Sequence, residues 1–412
     1  MYFSQILNGI KSTMNLMILL FIGVFLCIIL FVHGGKKYFA LAIYASALIY
    51  IVMTSGLGVG AVIKIPNNYT GGEARVLQLL TPEYINLDTI YEELEKNTGI
   101  KVIQTTYRDT KNFREIVQSE SSFDVVIAED YLNVWLYDIG KTERVNYSKI
   151  ANAKLLSPLI TENEHFSVLD RVSAPYLYTL LGIGYNRSIF DDIPIDWEEA
   201  KMAISADEVK GRVLLSADMR NMLGMVMSGS GFSINSSIPK EVRIASQVLT
   251  QLMDNTLPYM KSGHPVDLFI DESVVIGVVT SSDLNKAMHD NPKLRFVRTN
   301  VGSIMEFTNF SIMKGRAGDD AAYDFINYMY IPEIAAEVTN ITYQANLIDS
   351  STSFVNSEIL NGPSYFFPEL EKEFLRKSLT NAENAVLNDA WSRIMTHYSD
   401  MIVPERKKLH TF

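Results

Sequence analysis

The chain predicts an α/β protein of two lobes, built on a parallel, doubly wound sheet and preceded by two membrane-crossing helices. Three observations carry that expectation. Two long uncharged apolar runs occupy the first 66 residues; three short strand patterns alternate with two amphipathic helix patterns from about Arg75; and the same alternation recurs to the end of the chain.

The first apolar run, Met14 to Val32, has 19 residues, enough to cross a bilayer as a helix. The second, Tyr38 to Ile63, has 26. Only "HGGKK" joins them, so the two are expected to form a hairpin, with helices at about 14–32 and 38–63 in an anchor of residues 1–66. Lys36 and Lys37 in the joining loop place that loop in the cytoplasm and the long C-terminal part outside. The other reading of the second run is a signal peptide with Lys36-Lys37 as its charged start; its length and the presence of the first helix favour a permanent anchor.

Beyond the anchor, "RVLQLL" reads as a strand and "NLDTIYEELEKNTG" as a helix capped by Asn86 and stopped by Gly99. "IKVIQTTY" follows as a strand, "TKNFREIVQSE" as a helix and "FDVVIA" as a strand. Later come "GRVLLSADMRNMLGMVMSGSGFSIN" (strand, turn at Asp218, helix), "EVRIASQVLTQLM" (helix) and "VVIGVVT" (strand). "DDAAYDFINYMYIPEIAAEVTNIT" is a helix pair broken at Pro332, and "NAENAVLNDAWSRIMTHYS" a late amphipathic helix.

Composition narrows the function. The net charge is −11, and since the first 66 residues carry four lysines and no acid, residues 67–412 carry −15. That balance speaks against a nucleic-acid partner and mildly favours a cationic ligand. Cys27 is the only cysteine, and the six histidines have no metal-ligand spacing on one helix, so no thiol nucleophile, disulfide or metal centre is expected. "GLGVGAV" at Gly56–Val62 lies in an apolar run rather than at a strand-to-helix turn, and no phosphate loop appears. No catalytic residue and no cofactor is expected.

Ligands of open α/β sheets bind beyond the carboxyl ends of the strands. The strand Phe123 to Ile127 ends there on Ala128-Glu129-Asp130-Tyr131, presenting two carboxylates and a phenol. Asp130 serves either as ligand carboxylate or as cap of the helix "YLNVWL", and Asp218 stands before a helix in the same way. Trp135, Trp197 and Trp391 lie within helix patterns and are expected in the core.

The order of segments resembles the solute-binding proteins of bacterial ABC importers, in their spermidine/putrescine-binding branch. "EKNTGIKVIQTTY", "FDVVIAEDYL", "APYLYTLLGIGYN", "GRVLLSADMR", "GSGFSINSSIPKEVRIA" and "DDAAYDFINYMYIPEIAAEVTNITYQAN" follow that branch's segments in order and spacing over almost all of residues 75–398. The resemblance implies the two-lobed periplasmic-binding-protein fold. Lobe one would comprise 72–178 plus 307–352, and lobe two 179–306 plus 353–412. It also implies a membrane-tethered, extracytoplasmic receptor of a bacterial cell membrane that hands a small cation, such as a polyamine, to an ABC permease and its ATPase. A ligand sensor, or a permease-associated structural subunit with altered or lost polyamine binding, is the alternative.

The residues this resemblance implies at the ligand are Tyr84, Tyr131, Tyr343 and Asp218, matching family tyrosines and an ammonium-binding acid. Glu83 and Asp130, beside them, join the set. Other positions depart: Thr81 stands where a tryptophan is usual, Glu129 where serine is, and Asn221 where a second acid is. Thr280 replaces a cleft tryptophan, and Glu306 and Thr308 replace a Trp-x-Asp pair. The tryptophans that would sandwich a polyamine, each contact worth about 0.5–2 kcal/mol, are gone, while Glu129 and Glu306 are gained. No matched position offers Arg or Lys to the cleft, which keeps a cation ahead of an anion as ligand.

Overall fold

The computed structural model describes residues 75–119, 122–162, 172–191, 197–261, 265–300, 303–316, 320–365, 375–377 and 379–409. Both apolar runs of the expected membrane hairpin lie outside these residues. No helix among the described residues is long and apolar enough to cross a membrane. Residues 64–412 form one compact unit.

Ten strands lie among the described residues: β1 (Arg75–Pro82), β2 (Ile100–Tyr107), β3 (Val125–Glu129), β4 (Ala174–Asn186), β5 (Val213–Ser216), β6 (Tyr259–Lys261), β7 (Ile276–Thr280), β8 (Leu294–Val297), β9 (Met305–Ile312) and β10 (Ala345–Asn346). The longer helices are α1 (Asp88–Thr98), α2 (Thr110–Ser119), α3 (Asp130–Asp138), α4 (Trp197–Ile204), α5 (Met219–Gly229), α6 (Pro239–Thr256), α7 (Ser281–Asp290), α8 (Asp320–Met329), α9 (Pro332–Thr342) and α10 (Asn381–Leu409).

The strand order is β2-β1-β3-β9-β4-β7-β5-β6, with β8 and β10 also on β4. β1 pairs parallel with β2 and β3, and β5 parallel with β6 and β7, as strand–helix–strand crossovers require. The middle differs from the all-parallel expectation. β9 runs antiparallel to both β3 and β4, and β4 antiparallel to β7. The cause is β4, whose 13 residues are buried along their whole length. Its first part pairs with β9 and β10 and its second with β7 and β8, so one strand carries the chain from one α/β half into the other.

Each half has its own core. Leu80, Phe113, Val126, Leu132 and Leu136 pack in the first, with Trp135 at its margin. Leu215, Met222, Leu249, Val278 and Trp197 pack in the second, closed by Leu387, Ala390 and Ile394 of α10, with Trp391 against it. The three tryptophans therefore sit in or against cores, as expected of them. A side chain at Gly277 would collide with the Leu214 backbone, so glycine is what lets β5 and β7 pair at that point.

Helix boundaries follow local chemistry. α1 buries Ile90, Tyr91 and Leu94 on one face and ends at Gly99, whose φ of 70° is left-handed. Asn86 lies one residue ahead of the helix's first flanking position, which Leu87 takes; its Oδ1 accepts from the Asp88 N–H at 3.3 Å, an Asx-type bond rather than the expected cap. Pro332 opens α9, as its missing N–H permits.

Candidate ligand-binding cleft

The carboxyl ends of β1, β3 and β5, together with β7, β9 and the first turns of α3 and α5, surround a hollow of about 130 Å³. Among its lining residues are Tyr84, Glu129, Asp218, Asn221, Thr280 and Glu306, six of the twelve residues expected at the ligand. β-sheet register explains two of them. Glu129, the last residue of β3, stands across from Thr308 on β9, and Glu306 lies two residues from Thr308 on the same face. Asp218 caps α5, its Oδ1 accepting from the Asn221 N–H at 2.8 Å, so the capping and cleft readings of this residue hold together.

The other six do not line the hollow. Thr81 is fully buried in β1, opposite Thr106, and Glu83 is exposed beyond the strand end. Asp130 is buried and its Oδ1 accepts from the Tyr131 N–H at 2.7 Å. Tyr131 lies beneath, its hydroxyl 2.9 Å from Thr110 Oγ1, and Thr308 is buried where it bonds Tyr84. Tyr343 lies apart from the lining. It ends α9 with a left-handed φ of 61° and packs against Ala336, Val355 and Ile359 instead. Its neighbour Gln344 reaches the hollow in its place. Gln344 is buried, and its Oε1 has no hydrogen-bond partner.

Behind the lining sits a residue that the motif comparison passes over. Arg376 precedes α10 in a stretch with no strand or helix pattern, and its side chain is 1% exposed. Its guanidinium lies 3.2 Å from Glu129, 3.1 Å from Glu306 and 3.6 Å from Asp130. Nη1 also donates to Asn221 Oδ1 at 3.1 Å, while Asn221 Nδ2 donates to Glu306 Oε1 at 2.7 Å. The Tyr131 ring stacks on the cation, 4.7 Å from centroid to Cζ. So a cation does reach the cluster, from a position outside the matched segments' site residues. The one signal available was a basic pair, Arg376-Lys377, in an acidic chain.

One guanidinium cannot neutralise three carboxylates. Burial pushes the Asp130 carboxyl up to about 6, with Arg376 opposing. Glu129 is pushed up to about 7, first by burial, against Arg376 and with the help of Glu306 and Asp218. Its side chain keeps 28% exposure, so solvent softens that push without changing its direction. Glu306 is raised for the same reasons. Burial works against the Arg376 charge too, but Glu306, Glu129 and Asp130 outweigh it and the guanidinium stays protonated. The Tyr84 hydroxyl is pushed up by burial and then by Glu129, so it remains a neutral hydrogen-bonding group.

Arg108, Asp109, Lys261 and Asp283 also line the hollow. Thr280 Oγ1 donates to Asp283 Oδ2 at 2.7 Å and caps α7, so that strand-end threonine is held rigidly. Among the described residues no group of three or more His, Cys, Asp or Glu is arranged to hold a metal ion.

A hollow lined by acids and amide groups, between two α/β halves strung on shared antiparallel strands, defines a two-lobed receptor that encloses a small solute. Residues 89–357 match the family model described as bacterial extracellular solute-binding protein, and the chain belongs to that family. Its members are binding proteins of transporters rather than enzymes. The chain is 25% identical over 280 residues to a spermidine/putrescine-binding periplasmic protein of Salmonella typhimurium, covering 67% of this chain and 79% of that one. It is 24% identical over 359 residues to the putrescine-binding periplasmic protein PotF of Escherichia coli, covering 82% and 96%. Among solved structures, the spermidine/putrescine ABC transporter substrate-binding protein PotD from Streptococcus pneumoniae superposes with a TM-score of 0.65 at 23% identity, covering 79% and 99%. The TpPotD lipoprotein of Treponema pallidum gives 0.66 at 18%, covering 77% and 99%. These two establish the fold, two-lobed and α/β.

Proposed function

We propose that the chain is the receptor of an ABC importer and captures a small organic amine in the interlobe hollow, for delivery to a permease and its ATPase. The observation that carries this reading is the meeting of Glu129, Asp218 and Glu306, from three separate elements, around one hollow. Carboxylates in such a place select an ammonium group by charge and by hydrogen bonds. Spermidine and putrescine, for which the sequence relatives are named, belong to the same chemical class.

On this reading the lobes are 72–178 plus 307–352 and 179–306 plus 353–412, with hinges where β4 and β9 pass between them, and capture is a hinge closure. The apolar runs at 14–32 and 38–63 would tether the receptor outside the membrane, raising its effective concentration at the permease. Titration calorimetry of the full-length chain tests the ligand class. The panel is putrescine, spermidine, n-butylamine, glutamate, glucose and Mg²⁺. Saturable binding confined to the amines is expected; binding of glutamate or glucose with no amine binding would overturn the proposal.

A further inference from the structure

We propose that Arg376 is a specificity-determining residue: its guanidinium fills the inner cation seat of the cleft, so the site accepts an amine with one charged end rather than a diamine. This rests on the amine reading above and sharpens it.

The inner seat already holds a cation, although Arg376 Nε and Nη2 and Glu129 Oε2 make no hydrogen bond there. Arg376 takes Glu306 Oε1, Asn221 Oδ1 and Glu129 Oε2 as partners and has the Tyr131 ring on its face. Carboxylates on two sides and an aromatic face on a third are what an ammonium end would seek. Here a side chain of the same protein supplies the cation. Arg220 adds positive charge nearby, 5.4 Å from the same ring, and is held by Asn235 and the Lys377 carbonyl. A second ligand ammonium driven toward this end would meet Arg376 as a like charge.

What remains open to a ligand is smaller. Asp218 faces the hollow, and the Gln344 Oε1, buried and without a partner, offers a neutral acceptor there. Asp109 and Asp283 also line the hollow, but Arg108 and Lys261 in the same lining offset their charge, which leaves Asp218 for a single ammonium group.

The experiment compares two ligands of equal carbon length, n-butylamine with one ammonium and putrescine with two, on the full-length chain by calorimetry. The unaltered protein is expected to bind n-butylamine at least as tightly as putrescine. Arg376→Gln frees the inner carboxylates and is expected to tighten putrescine roughly 10- to 100-fold, the range of a hydrogen-bonded charge pair, with n-butylamine changed far less. Arg376→Lys keeps the internal charge and is expected to keep the original preference. A clear preference for putrescine in the unaltered protein overturns the proposal without recourse to any variant. Loss of both ligands in parallel in a folded Arg376→Gln protein also overturns it, and leaves the amine reading standing. If no amine binds the unaltered protein, both readings fall together.

Discussion

Replacing Arg376 by methionine removes one charge at nearly constant length and leaves three carboxylates facing each other under the cleft. The guanidinium's neighbours lie at 3.1, 3.2 and 3.6 Å. At an effective dielectric of about 20, each full charge pair near 4 Å is worth about 4 kcal/mol before desolvation is deducted. Breaking a buried ion pair by deleting one partner typically costs about 3–5 kcal/mol, because the remaining charge is stranded. Lost stacking on Tyr131 adds up to about 2 kcal/mol. The stranded carboxylates have a partial escape, since they can take up protons. Asp130 already titrates at about 6, and without Arg376 it rises further. The penalty is therefore expected to be about 3–5 kcal/mol at pH 8 and clearly smaller at pH 5. Urea unfolding at both pH values, with the slope m compared between proteins, reads this directly. A penalty below about 1 kcal/mol, the level of an exposed pair, would refute the account of Arg376 as the buried counter-ion, as would a penalty independent of pH.

Three further outcomes are expected. The folded protein holds Asp130 at about 6 and Glu129 at about 7, above their ordinary values, so it binds protons more tightly than the unfolded chain. Their contribution to stability is thus present at about pH 4–5 and is lost as pH rises through 6 to 7; Asp130→Asn should flatten that part of a melting-temperature profile, and an unchanged slope would count against it. Asp218→Asn should weaken amine binding by about tenfold or more while barely altering stability, since asparagine caps a helix as well as aspartate does; equal affinity for n-butylamine would remove Asp218 from the site. Tyr343→Phe should leave amine affinity within about twofold, well under the 1.4 kcal/mol of a tenfold change, because this residue packs away from the hollow; a tenfold loss would restore it as a ligand group.

Much of the fold was legible because periodicity reports local burial. β3 ends on Glu129, α5 starts after Asp218, Pro332 separates α8 from α9, and Gly99 closes α1, each where pattern and turn chemistry place it. The antiparallel centre was not legible. A buried strand such as β4 looks the same whichever way its neighbours run, and its partner β9 lies about 130 positions further along. Tyr343 and Gln344 differ for a related reason: position in a motif says which turn a residue occupies, not which neighbour lines the hollow, and here Gln344 lines it while Tyr343 packs on the Ala336 cluster.

The same limit governs the charge argument. Counted along matched positions, Glu129 and Glu306 look like added attraction for a cationic ligand, offsetting the acids replaced by Asn221 and Thr308. In the folded chain those gains line the hollow and also pair with Arg376, which comes from a segment 70 residues beyond Glu306 and carries no motif. The two acids and the arginine form one ion-pair cluster, and Asn221 joins it by accepting from Arg376 and donating to Glu306. An acid at position 221 would add a fourth carboxylate to a guanidinium already outnumbered three to one. Its amide is therefore part of the same electrostatic cluster as the arginine, so residues 129, 221 and 306 act on the cleft together.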